Sequence, residues 1–191
     1  MAQVSTGPFS TLDVMIGGTV WDARGEFSRL WAPGNGAGVT ISTPFYAGRV
    51  SAGFDIVSFE PTDLYTRRRT DVPGNFSGTN GLRPSFTAAV IRAGITFRLH
   101  VIGPVAFDTG FDTGNFLMMF DESTIKGVRN ESEFSTSVFV GPQVRLTKRV
   151  FLFGRAVYRR VFTSTPMDLL SIHTGITVRF ITPGWLRRVL K

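Results

Sequence analysis

A chain of 191 residues fits a single domain, and its make-up narrows the class: only 18% of residues are charged, Gly numbers 21 and Phe 18, and no window repeats with helical periodicity, which favours an all-β protein. Cysteine is absent, excluding disulfide scaffolds, thiolate metal sites and the lipid-bearing Cys of a lipoprotein. The net charge of +7 comes from 21 basic residues, all Arg except Lys126, Lys148 and Lys191, a bias that suits fixed bidentate pairing better than loose solvation.

The uncharged run 30–48 contains Pro33 and Pro44, which a membrane-spanning helix tolerates poorly. The N-terminal Met1-Ala2-Gln3 lacks the basic and apolar regions of a signal peptide, so the expectation is that an export signal has been removed.

In chain order, residues 10–21 alternate, with Leu12, Val14, Ile16 and Val20 on one face and Thr11, Asp13, Met15, Gly17 and Thr19 on the other. A loop over 22–35 leads to a second strand over 36–46, with Val39, Ile41 and Phe45 opposite Thr40, Ser42 and Tyr46. Ala47-Gly48 makes a tight turn. The third strand, 49–59, sets Val50, Phe54 and Ile56 against Ser51, Gly53 and Asp55, and 60–84 is the largest loop, holding Arg67, Arg68 and Arg69.

A fourth strand over 85–100 opposes Ile91, Ile95 and Phe97 to Arg92, Arg98 and His100; a short turn carries it into a fifth, 105–119, with Phe107 and Phe111 opposite Asp108 and Asp112. After a charged loop, 134–146 alternates Val138 and Val140 with Ser137, Phe139, Gln143 and Arg145. Thr147-Lys148 turns it into 149–162, where Leu152, Ala156 and Tyr158 oppose Phe153, Arg155 and Arg159. The last strand, 170–180, puts Ile172, Ile176, Val178 and Phe180 opposite Ser171, His173, Gly175, Thr177 and Arg179. Each assignment rests on the period of two that a strand imposes on its side chains.

The count is eight, and the connections alternate long and short. Strands of about 10 residues or more suit a tilted crossing of hydrocarbon. The second face gathers Asp13, Asp55, Asp108 and Asp112 with Arg92, Arg98, Arg145, Arg155, Arg159, Arg179 and His173. An eight-stranded lumen is only wide enough for side chains to fill, so these charges are expected to pair across it as a hydrogen-bonded plug. Tyr46, Phe139 and Phe153 are expected to share that interior. A soluble sandwich, whose polar face would meet solvent, is the competing reading.

The run from His173 to Phe180, polar-x-Gly-x-x-apolar-x-aromatic, resembles the closing strand of bacterial outer-membrane barrels. With the eight strands of about 10–180, the chain resembles the small barrels of the OmpA and OmpX kind. The resemblance implies an eight-stranded antiparallel up-and-down transmembrane β-barrel with short periplasmic turns and longer extracellular loops, residing in the bacterial outer membrane. It further implies that Gly175, Val178 and Phe180 form an assembly signal read by the barrel-assembly machinery. One departure is the continuation past Phe180: the basic tail 181–191, with Trp185, Arg187, Arg188 and Lys191, fits either an interfacial anchor on anionic head groups or a frayed end.

Catalysis has few materials. Ser171 and His173 share a face, and Asp13 on the strand that closes against them is the carboxylate that would complete a triad, yet such a site would sit inside a crowded lumen; the expected protein is not an enzyme. Asp108 and Asp112, the nearest approach to metal ligands, have Arg as expected neighbours, and Gly34-Asn35-Gly36-Ala37-Gly38 lacks the helix and Lys of a phosphate loop. No cofactor and no nucleic acid is expected. The expected partners are outer-membrane lipid, lipopolysaccharide phosphates at Arg67, Arg68 and Arg69, and other envelope proteins. A structural or adhesive barrel is the first reading; a narrow channel or ligand-carrying barrel, a subunit of an envelope complex and a soluble lipocalin-like carrier follow.

Overall fold

The computed structural model describes residues 7–25, 27–62, 85–120, 130–163 and 166–189. Eight strands form one closed barrel in which each pairs antiparallel with its neighbours in sequence. They are β1 (Thr11–Ala23), β2 (Gly34–Phe45), β3 (Gly48–Phe59), β4 (Phe86–Ile102), β5 (Val105–Phe120), β6 (Glu131–Arg145), β7 (Val150–Val161) and β8 (Met167–Ile181), with short helices α1 (Phe27–Leu30) and α2 (Gly184–Val189). Closure is made by β1 on β8 in one unbroken register from Thr11↔Ile181 to Ala23↔Leu169. That register leaves no free edge, the condition for placing strand backbone in hydrocarbon.

Burial follows the alternation read from the sequence. Along β1, Asp13, Met15, Thr19 and Trp21 are buried while Ile16 and Val20 are exposed. Along β7, Phe151 and Phe153 share the inward side and Leu152 faces outward. The connections β2–β3, β4–β5 and β6–β7 lie on one rim with the start of β1 and the end of β8. Tyr46 departs from expectation: it occupies the β2–β3 turn in a left-handed conformation (φ 47°) and is 84% exposed. Turn geometry therefore removes it from the lumen that strand parity assigned to it.

The exterior is apolar over most of its height, with Ile41, Phe54, Ile91, Val138, Val140 and Ile172 exposed. Towards the long-connection end polar side chains join it: Asp22, Asn35, Ser58, Ser132 and Arg160 point outward, beside the exposed rings of Phe134 and Phe162. The interior changes in the opposite sense. Trp21, Trp31, Val57, Phe59, Phe86, Phe116, Val161 and Leu169 form a buried apolar cluster at that same end. Apolar inside and polar outside is how a β-barrel presents itself to water, so the inversion marks the height at which the barrel leaves an apolar surrounding for an aqueous one.

Candidate functional site in the barrel interior

Two ion-pair chains occupy the interior between the short-turn rim and the aromatic cluster. In the first, Arg179 donates to both carboxylate oxygens of Asp13 (2.8 and 2.9 Å); these residues face each other in the closing β1–β8 register. Asp13 also pairs with Arg49 at 2.9 Å and Arg98 at 3.8 Å. Arg98 in turn makes a fork onto Asp108 (2.7 and 2.9 Å), which is approached by Arg155 at 3.4 Å.

In the second chain, Arg92 donates to Asp55 (2.8 and 3.3 Å) and to Thr40 Oγ1 (2.8 Å), and lies 3.6 Å from Asp112. Asp112 accepts from Arg159 at 2.9 Å and from Ser137 Oγ at 2.6 Å. The carboxylates of Asp13, Asp55, Asp108 and Asp112 are all buried. Each has at least one Arg within 2.9 Å, the condition under which a buried charge is tolerated.

Local sequence makes room for these groups. A Cβ at Gly38, which sits opposite Asp55 in the β2–β3 register, would fall on the Asp55 carboxylate, and one at Gly53 would reach the Arg92 guanidinium at 3.0 Å. Rings close the remaining space: the Arg155 guanidinium lies 4.7 Å from the Phe139 centroid and that of Arg159 5.7 Å from Trp21. What is left at mid-height is a cavity of about 20 Å³ bordered by Arg92, Arg155, Arg159, Phe139 and His173, the room of a single water. Arg155 Nε and Arg159 Nε have no protein acceptor there.

Of the expected lumen residues, Asp13, Asp55, Asp108, Asp112, Arg92, Arg98, Arg155, Arg159 and Arg179 all enter the two chains. His173 contacts Ser171 Oγ at 3.0 Å and packs on Trp21, with centroids 5.9 Å apart. Arg145 does not join them: the last residue of β6, it keeps the inward parity but lies exposed at the open mouth of the barrel, away from the four Asp. Nor does Asp13 approach Ser171 and His173. The register sets Ser171 against Trp21 and His173 against Thr19, several residues along β1 from Asp13. The Ser-His-carboxylate arrangement does not form.

Arg49 is a lumen residue that the sequence reading passed over. It is the second residue of β3, on the same parity as Ser51, Gly53 and Asp55, and carrying the alternation one step back from Ser51 finds it. Gly175 faces inward across from Gly17, while Val178 and Phe180 point outward and pair with Val14 and Leu12. Trp185 in α2 is 63% exposed, and Arg188 is exposed beside it; Arg187 belongs to the same helix. Arg67, Arg68 and Arg69 lie outside the described residues. No cluster of His, Asp or Glu that would hold a metal occurs among the described residues.

Solved structures share this architecture. Neisserial surface protein A aligns with a TM-score of 0.64 at 13% identity, covering 88% of this chain and 97% of that one. Ail, the attachment invasion locus protein of Yersinia pestis, solved in complex with the heparin analogue sucrose octasulfate, aligns at 0.59 with 14% identity, covering 90% and 99%. The fold is that of a small eight-stranded outer-membrane β-barrel. A major outer membrane protein from Thermus thermophilus aligns over 89% of this chain and 99% of its own, with a TM-score of 0.54 and 12% identity. No protein-family model and no curated protein matches the sequence. The outer-membrane barrel fold is thus carried by a sequence that keeps its alternation and little else of theirs.

Proposed function

We propose that the chain is an integral protein of the bacterial outer membrane whose closed barrel serves a structural or adhesive role and neither conducts nor catalyses. The observation that carries this is the filled interior. Arg–Asp chains occupy the short-turn half, the mid-height cavity is about 20 Å³, and the aromatic cluster closes the far end. A hydrated ion has no continuous path through such packing.

The polar side chains on the exterior at the long-connection end fit strand ends that meet water, which supports a role for that end in contact with partners outside the cell. Ail, the attachment invasion locus protein, lends the adhesive reading its support. Contact with outer-membrane lipid follows from the apolar exterior, and insertion by the barrel-assembly machinery from the closing strand. Head-group contacts fall to Trp185 and Arg188, and loop contacts with lipopolysaccharide to the Arg67–Arg69 run.

Detergent-folded protein is expected to migrate differently on SDS gels before and after boiling, and to give no stable open level in planar bilayers. A large persistent conductance would overturn the closed barrel and support a narrow channel.

A further inference from the structure

The short-turn rim encloses a vestibule of about 650 Å³ bounded by the β2–β3, β4–β5 and β6–β7 turns, a volume within the range of small-molecule sites. Its charge is one-sided. Arg49, Arg98, His100, Arg145, Lys148 and Arg179 line it, and among the described residues no carboxylate does. The acids nearest beneath it are already engaged: Asp13 by Arg179, Arg49 and Arg98, and Asp108 by Arg98 and Arg155. Arg145 and Lys148 have no carboxylate partner among the described residues. Two acids against five Arg and one Lys leave four positive charges over, without counting His100.

The two floor cations are held in place. Arg49 donates to Ser42 Oγ at 3.3 Å and to the Ser42 carbonyl at 3.1 Å, and Arg179 lies over the Phe151 ring at 4.7 Å. Fixed donors lose little side-chain entropy when an anion arrives, and a concave site with low-dielectric walls concentrates their field.

We propose that this vestibule binds a small, soluble, multiply charged oxyanion on the short-turn side of the barrel, with Arg145 and Lys148 as its outer contacts and Arg49 and Arg179 as its floor. Guanidinium forks match the paired oxygens of phosphate or carboxylate groups, and several anionic groups are needed to offset the surplus. The site depends on the barrel geometry and not on whether the lumen conducts.

The test is calorimetric titration of sodium tripolyphosphate into the full chain folded in zwitterionic detergent. One anion is expected to bind per chain. The double variant Arg145→Gln, Lys148→Gln, whose side chains support no buried pair, should bind about tenfold more weakly, the loss of two charge-assisted contacts. Arg24→Gln with Arg160→Gln, which removes the same charge at the opposite rim, should leave affinity within about twofold. Several anions per chain, or equal weakening by both double variants, would show diffuse charge attraction and overturn the site. Phosphatidylglycerol added to the micelles should not compete; if it abolishes binding, the rim recognises lipid head groups and the soluble-ligand proposal fails.

Discussion

Replacing Asp55 by Ala removes the one carboxylate among the described residues that lies within 3 Å of the Arg92 guanidinium and leaves that charge buried in the middle of the barrel. Breaking one side of a buried pair costs roughly 3–5 kcal/mol, because the remaining ion keeps its desolvation penalty. Here the lower end applies: Arg92 retains the Thr40 hydroxyl at 2.8 Å and Asp112 at 3.6 Å. The expected loss is about 3 kcal/mol, roughly two powers of ten in the folding equilibrium. Reversible urea unfolding in phospholipid vesicles, followed by Trp fluorescence, measures it. The double variant Asp55→Leu, Arg92→Met removes both charges and should return to within about 1 kcal/mol of wild type, since apolar replacement of an entire buried pair is often neutral or better. If Asp55→Ala alone costs less than about 1 kcal/mol, the interior is hydrated and the dry ion-pair account is wrong.

The remaining expectations probe other levels of the fold. Gly38→Ala should destabilise by about 1–3 kcal/mol in the same assay, because its methyl group displaces the Asp55 carboxylate from Arg92. Val140→Arg, on the apolar exterior, should cost about 2–4 kcal/mol in vesicles, whereas Ser58→Arg in the polar outer band should cost under about 1; equal costs would remove the change of surroundings inferred along the exterior. Truncation before Phe180 deletes the residues paired with Leu12 and Thr11 and should reduce the heat-modifiable fraction after refolding. Changing Arg92, Arg155 and Arg159 to Ser should leave bilayer conductance low while Trp21, Phe86 and Phe116 still close the far end; leakage from the triple variant alone would show that the ion pairs are the seal.

The sequence by itself determined the strands and their faces. A period of two is a local property of extended backbone, so Val138 and Val140 against Ser137 and Phe139, or Ile172 and Ile176 against Ser171 and Thr177, declare their sides without a partner. The same parity placed nine of the charged side chains inward, and the even strand count anticipated the β1–β8 closure. Where a strand meets a turn, parity no longer tells burial: Tyr46, in the turn itself, is left exposed, and Arg145 keeps the inward parity but lies at the open mouth of the barrel. Which Asp meets which Arg depends on registers between strands far apart in sequence, as with Asp13 and Arg179, separated by 166 positions. The aromatic cluster was hidden for a related reason. Trp21, Phe59, Phe86 and Phe116 lie towards the long-connection ends of four strands whose inward faces are elsewhere mostly polar or small, and only their convergence at one end of the cylinder shows that the interior changes from ionic to apolar there.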